Sequence, residues 1–134
     1  LIDVLEGRAP IEQVLQRASG DGFDVIPCGT RKASAPELLA SPQMIQLMVR
    51  LRSQYEAIIV DSPPMGAGVD PLVLASLSGT MILVLRTGQT ERALAEARLA
   101  DVSRLPVRVL GAVLNDVKPE GVYRYYSYLP GYRA

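Results

Sequence analysis

The sequence predicts an α/β fold in which helices flank a mostly parallel β-sheet, and three observations support this prediction. Four short apolar runs, at residues 23–26, 57–60, 80–85 and 107–114, have the length of strands. The middle two lack apolar–polar alternation and are rich in β-branched side chains, as strands buried on both faces are. Helix-like segments separate the runs, and this alternation is typical of right-handed βαβ crossovers.

The composition fits one soluble domain and excludes several classes of protein. With 134 residues, of which 49% are hydrophobic, the chain can bury a core and is too apolar to be disordered. Its 14 basic and 14 acidic side chains cancel, so we expect no nucleic-acid partner. Cys28 has no second cysteine to pair with, and the absence of histidine excludes Ser-His and Cys-His nucleophile pairs. No apolar run approaches the ~20 residues of a membrane span.

The first half of the chain contains four predicted helical segments. Residues 2–6 and 11–17 are weak candidates that precede the first predicted strand. Ser34 and Glu37 have the spacing of a capping box, in which each side chain binds a free backbone N–H of the first turn. Ser41 and Pro42 then resemble an N-cap followed by proline at the first helical position.

The helix that follows Pro42 carries an apolar stripe for packing on a sheet. The members of the stripe recur every three to four residues: Met44, Met48, Leu51 and Tyr55. We also predict that Cys28 is a partly buried thiol.

The second half contains two further predicted helices. Residues 70–77 form a shorter and weaker candidate, and Thr90 and Glu91 begin a longer helix. Its predicted inward residues share one face: Leu94, Ala95, Leu99 and Val102.

Residues 118–134 are predicted to be a flexible tail that follows a folded region spanning residues 1–117, because proline and glycine interrupt the pattern there. The tail holds five of the six tyrosines: Tyr123, Tyr125, Tyr126, Tyr128 and Tyr132.

The strongest candidate for chemistry is Asp61, which directly follows the apolar run at 57–60. An aspartate at the carboxyl end of a parallel strand lies where open α/β folds bind ligands, and it can hold Mg²⁺ directly or through water. The alternative is an aspartate that caps the next loop through backbone N–H groups. The rigid Ser62-Pro63-Pro64 turn favours the metal-binding role, because it fixes where the carboxylate points.

The segments IIVDSPP, MILVLRTG and VLGAVLND and the tyrosine-rich tail together resemble the bacterial tyrosine kinases. These are cytoplasmic kinase domains of polysaccharide co-polymerases, which control the chain length and export of capsule and exopolysaccharide. The resemblance implies a P-loop fold shared with partition ATPases, with ATP and Mg²⁺ as cofactors. It also implies a ring-like homo-oligomer, a membrane-embedded co-polymerase region as partner, and a place at the cytoplasmic face of the bacterial inner membrane.

The resemblance assigns roles to individual positions. Asp61 matches the family's second acidic motif, which organises magnesium, and Asn115 matches an asparagine near the adenine ring. The alternative for Asn115 is a turn residue before Asp116. The five tail tyrosines match the phospho-acceptors, and their alternative is an adhesive tail that packs on a partner. Arg86 is predicted to be a solvated charge at a strand end.

The family's GxxxxGK[ST] phosphate loop is missing from the sequence, since Lys32 and Lys118 do not follow the required glycine. We therefore expect the chain, which opens on Leu1, to be the C-terminal portion of a kinase domain that is inactive alone. Two alternatives stay open: a non-catalytic interaction module that docks on a separate phosphate-loop partner or membrane subunit, and a fragment of a partition- or division-type ATPase.

Overall fold

The computed structural model describes residues 1–18, 22–30 and 32–118, and divides the chain into two compact units. The first unit is Leu1–Gly79, and the second begins at Thr80. Apart from Lys118, the predicted tail and all five of its tyrosines lie outside the described residues.

The first unit is mainly helical, with one short β-hairpin. Its elements, in chain order, are α1 (Ile2–Leu5), α2 (Ile11–Val14), β1 (Gln16–Arg17), β2 (Asp24–Val25), α3 (Ala35–Leu39), α4 (Pro42–Arg52) and α5 (Asp70–Ser78). Their buried apolar side chains meet in one cluster, to which α4 contributes most: Leu5, Ile11, Met44, Leu47, Met48, Leu51 and Leu74. The predicted stripe of α4 is therefore a core stripe, and Tyr55 packs against its edge.

The two predicted N-caps of this unit have different outcomes. Ser41 caps α4 as predicted, since its Oγ accepts a hydrogen bond from the backbone N–H of Met44 at 3.3 Å, and Pro42 begins the helix. Ser34 precedes α3 but makes no side-chain capping hydrogen bond, so the predicted capping box is wrong. Its backbone ψ of 11° is not the extended conformation that aims an N-cap side chain at the first turn.

The helix predicted at residues 11–17 is wrong beyond its first turn. It ends at Val14, and the chain becomes extended so that Gln16 pairs with Val25 and Arg17 with Asp24 in an antiparallel hairpin. Asp24 also accepts a hydrogen bond from the hydroxyl of Tyr55 at 2.6 Å, which ties the hairpin to the residues that follow α4. Cys28 is exposed, contrary to the prediction of a partly buried thiol.

The predicted strand at residues 57–60 is not formed, which corrects the strongest strand prediction of the first half. These residues have no regular secondary structure, and the side chain of Ile59 is 94% exposed. A strand requires a hydrogen-bonded neighbour, and no part of the described chain pairs with this segment.

The second unit has the βαβ arrangement that the sequence predicts. Strand β3 (Thr80–Arg86) leads through α6 (Arg92–Val102) to β4 (Arg108–Asn115), and the two strands pair in parallel. The register runs from Thr80 opposite Arg108 to Arg86 opposite Asn115, with a shift between Met81 and Ile82. The fold class is thus confirmed for the described residues: helices together with a parallel sheet.

The burial on both faces that was predicted for residues 80–85 is wrong, and β4 is more exposed still. In β3 exposed and half-buried residues alternate from Met81 onward, and every residue of β4 is exposed. Leu94, predicted to face inward, is 47% exposed, whereas Val102 is 1% exposed as predicted. Two strands and one helix enclose little volume, so Val102 is the single fully buried side chain among the described residues of this unit.

Candidate functional site

Asp61 lies in the first unit, in the irregular segment that follows Ile59. Its side chain is exposed and forms no ion pair with any of the described residues. The turn after it is ordered by local bonds: the Ser62 hydroxyl donates to the Pro63 carbonyl at 3.1 Å, and the Ala67 N–H donates to the Pro64 carbonyl at 2.8 Å. Because residues 57–60 form no strand, the predicted place of Asp61 at the carboxyl end of a parallel strand is wrong. Asp61 is a solvent-facing carboxylate directly before a local turn.

The carboxylate of Asp61 is chemically suited to Mg²⁺ but supplies only part of a site. Mg²⁺ prefers hard oxygen ligands and commonly keeps several waters beside one or two carboxylates. The described residues contain no cluster of three or more Cys, Asp or Glu side chains that could hold a metal ion. Asp61 could therefore provide one or two oxygens, and the other ligands would be water, phosphate oxygens or residues outside the described set.

The polar groups of the second unit converge at the carboxyl ends of β3 and β4, the edge where parallel sheets bind ligands. Arg86 and Asn115 are the last residues of the two strands and lie opposite each other. The backbone N–H of Thr87 and its hydroxyl both donate to the Asn115 carbonyl, at 3.0 and 3.1 Å. Arg86 is exposed at the strand end as predicted, and its Nε also donates to Asp116 Oδ2 at 3.0 Å.

The side chain of Asn115 has a defined orientation at this edge. Its Oδ1 accepts a hydrogen bond from the backbone N–H of Asp116 at 2.9 Å. Its Nδ2 makes no hydrogen bond within the described part of the chain and can donate to a ligand. The residue therefore combines a turn contact through oxygen with an available donor through nitrogen.

Sequence reasoning named Asn115, Arg86, Asp116 and Thr90 but did not predict the contacts among them. Thr90 contributes too, because its Oγ1 accepts a hydrogen bond from the backbone N–H of Arg86 at 2.8 Å. The predicted parallel pairing could have indicated these contacts, because both strands end in a polar residue followed by a turn. Asp61 belongs to the first unit and Asn115 to the second.

Lys32, one of the two lysines weighed against the phosphate-loop pattern, is held by an acidic residue. Its Nζ lies 2.6 Å from Glu6 Oε1 and 2.8 Å from Glu6 Oε2, an ion pair that links α1 to the segment before α3.

None of the helices described is long and apolar enough to cross a membrane.

Comparison with known proteins places the chain among tyrosine-protein kinases, although no family model matches it. Etk of Escherichia coli K12 is 33% identical over 117 residues, which is 87% of this chain and 16% of Etk. YwqD of Bacillus subtilis strain 168 is 29% identical over 95% of this chain and 54% of its own length. The solved kinase domain of Escherichia coli Etk matches with a TM-score of 0.82 and 31% identity, over 98% of this chain and 50% of that domain. Over nearly its whole length, the chain is similar to part of a bacterial tyrosine kinase.

A second solved kinase domain is also similar in fold to this chain. The kinase domain of VpsO matches with a TM-score of 0.82 at 25% identity, over 88% of this chain and 58% of that domain. The chain thus spans about half of the solved kinase domains and 16% of the length of Etk. Both the predicted family and the predicted P-loop-type fold class are confirmed by these matches.

Proposed function

We propose that this chain is part of an ATP-dependent protein tyrosine autokinase that regulates the chain length and export of exopolysaccharide or capsule. The observation that carries the proposal is the match of 98% of the chain to half of a solved tyrosine kinase domain. The kinase works as a ring-like homo-oligomer beside a membrane-embedded co-polymerase region, at the cytoplasmic face of the inner membrane.

In this proposal each candidate residue has a distinct role. Asp61 supplies oxygen ligands for Mg²⁺, and Asn115 contacts the adenine ring of ATP. The acceptors are the tail tyrosines, each of whose phenol oxygens forms a bond to the γ-phosphorus while the bond to the β,γ-bridging oxygen breaks and the phenol proton is released. ADP is the leaving group. Each phosphate adds about −1.5 to −2 charge, and accumulated charge weakens the ring.

The absence of a GxxxxGK[ST] motif from this sequence means that the donors that cradle the phosphates must come from elsewhere. We expect the chain alone to be inactive. Reading the coding frame upstream of Leu1 is the simplest test: a phosphate loop about a hundred residues or fewer before it supports the proposal. A start codon directly before Leu1 would contradict it.

The role of Asp61 is tested by Asp61→Ala in the protein encoded by the complete reading frame. Autophosphorylation should fall by orders of magnitude while the tail tyrosines are still present, because the metal loses a protein ligand. Glu56→Ala is the matched control, since Glu56 is also an exposed carboxylate of the first unit and is close in sequence. Unchanged activity in Asp61→Ala would refute the magnesium role.

The role of the tail is tested by replacing its five tyrosines with phenylalanine. Phosphate incorporation should largely disappear while nucleotide binding stays intact, as phosphopeptide mass spectrometry and a binding assay would report. Tyr55→Phe is the control, because Tyr55 lies outside the tail and is hydrogen-bonded to Asp24. Full incorporation without the tail tyrosines would place the acceptors elsewhere.

A second candidate function, a non-catalytic interaction module, is favoured by the exposed apolar side chains. Ile59 is 94% exposed, and Val84 and Val113 are 63% and 51% exposed on the sheet of the second unit. A separately expressed phosphate-loop half of a kinase domain should then bind this chain, and Ile59→Lys should weaken the complex in a titration. No complex with the unsubstituted chain would exclude this function.

A further inference from the structure

Asp116 has an unusual backbone conformation at a position next to a candidate ligand-binding residue. Its φ of +58° is the single positive φ of a non-glycine residue in the described part of the chain. The left-handed region costs an L-residue of order 1 kcal/mol or more, although aspartate and asparagine tolerate it best. Such strained residues cluster at functional sites, where the surrounding contacts hold them in place.

One side chain of the neighbouring strand, that of Arg86, holds this turn, and Thr90 holds the backbone of Arg86. Arg86 Nε reaches Asp116 Oδ2 at 3.0 Å, and the backbone of Arg86 is fixed in turn by its hydrogen bond to Thr90 Oγ1 at 2.8 Å. The Arg86–Asp116 pair is exposed, with side chains 54% and 57% accessible, and exposed pairs stabilise a fold by little. The pair therefore matters for geometry more than for stability.

The geometry that the pair maintains is the orientation of the Asn115 carboxamide. With Asp116 in the left-handed conformation, its N–H donates to Asn115 Oδ1 at 2.9 Å, while Thr87 holds the Asn115 carbonyl from the other strand. The carboxamide oxygen then already accepts a hydrogen bond, and the two hydrogens of Nδ2 are available to donate to a ligand. A ring nitrogen of a purine is an acceptor that suits them.

We propose that Arg86 and Asp116 are positioning residues that fix Asn115 so that its Nδ2 donates to the purine base of a nucleotide. This inference rests on the proposed function, which places the base at Asn115. It predicts that disturbing the ion pair alters the order of the Asn115 side chain before any ligand is added. A preorganised donor binds more tightly, because less side-chain entropy is lost on binding.

The first experiment uses the ligand-free chain and side-chain amide ¹⁵N relaxation of Asn115. Asp116→Asn removes the charge but keeps a residue that tolerates positive φ, and Arg86→Gln removes the other partner. Both should lower the order parameter of the Asn115 amide, and Arg86→Lys should restore part of it. Arg92→Gln, which breaks the exposed Arg92–Glu96 pair in the same unit, is the matched control and should change nothing. An Asn115 amide that stays equally ordered in Asp116→Asn and Arg86→Gln would overturn the proposal.

The second experiment titrates adenosine at millimolar concentration and follows the same Asn115 resonance. Adenosine carries no phosphate, so a direct phosphate contact by Arg86 cannot contribute. Asp116→Asn and Arg86→Gln should weaken binding about fivefold, the scale of one exposed polar interaction. Unchanged affinity in both variants, with weakened binding in Asn115→Ala, would refute the positioning role. If adenosine leaves Asn115 unshifted in the unsubstituted chain, the adenine contact of the proposed function fails, and the relaxation data alone decide the positioning role.

Discussion

Ser41 and Ser34 show what a single hydroxyl contributes at a helix start. Ser41 accepts a hydrogen bond from the Met44 N–H, whereas Ser34 makes no such bond before α3. We expect Ser41→Ala to lower the free energy of unfolding by about 1 kcal/mol, the usual cost of losing an N-cap. Ser34→Ala is the matched control and should change it by less than about 0.5 kcal/mol. Urea denaturation measures both, and equal losses would contradict the assignment of the caps.

Tyr55 makes the stability of the folded state depend on pH in the alkaline range. The hydrogen bond to Asp24, then desolvation and the Asp24 charge, raise the pKa of Tyr55 above its ordinary 10.0. The folded state favours the neutral phenol, so this stabilisation is fully present below the unfolded pKa and is lost as the pH rises through the folded pKa.

We expect Tyr55→Phe to be less stable than the unsubstituted chain at neutral pH, with a difference that shrinks above about pH 10. Urea midpoints measured from about pH 7 to about pH 11 would show this. Asp24→Asn should behave similarly, because it removes the charge of the same acceptor. A constant difference across the pH range would show that the hydrogen bond is not the cause.

Helix α4 is the element on which the core of the first unit depends. Met48 is buried at 4% exposure within its cluster, and Val49, the next residue, is 61% exposed. Met48→Ala should cost about 2–5 kcal/mol, because it removes buried surface and leaves a cavity. Val49→Ala is the control on the same helix and should cost little. Similar losses for both, measured by thermal or urea unfolding, would contradict the packing of α4.

Helix α4 and the strands β3 and β4 were predictable from sequence, whereas the strand at residues 57–60, the hairpin and the Ser34 cap were not. The apolar period of α4 and its Ser41–Pro42 start depend on neighbouring residues, so they were correct. The run at 57–60 has the composition of a buried strand, but composition does not supply the hydrogen-bonded neighbour that makes a strand. The switch from helix to strand after Val14 was missed for a related reason, because it depends on pairing with Asp24 and Val25.

Asp61 and Asn115 were candidates from sequence order alone, and the contacts around Asn115 were not predicted. Arg86 lies 3.0 Å from Asp116 because of the parallel register of two strands that α6 separates in the chain. No local pattern encodes such a distance. The positive φ of Asp116, +58°, could not be predicted from the sequence either, since most aspartates have negative φ.

The described part of the molecule exposes many large apolar side chains. The exposed large residues of the second unit lie largely on its two strands: Ile82, Val84, Val109, Leu110, Val113 and Leu114. Exposed apolar side chains on strands can act as interaction sites or aggregation hazards. This agrees with the expectation that part of the sheet's surroundings is supplied by other residues or by another chain.

We therefore expect the chain on its own to self-associate as its concentration rises, which sedimentation velocity would detect. Val84→Lys combined with Val113→Lys should reduce the association, because these two residues lie opposite each other in the register and are both exposed. Arg92→Lys, which changes an exposed residue of α6 without changing its charge, is the control. A chain that stays monomeric at high concentration would contradict the prediction.

The register shift in the parallel pair leaves one residue of β4 without a partner on β3. Met81 lies opposite Val109 and Ile82 opposite Gly111, so Leu110 has no counterpart on β3. If one residue between Val109 and Val113 were deleted, the strand could close the bulge and still end with Asn115 opposite Arg86. We therefore expect related sequences to tolerate a strand that is one residue shorter. The Asn115 amide, the Arg86 guanidinium and the turn at Asp116 would keep the same arrangement.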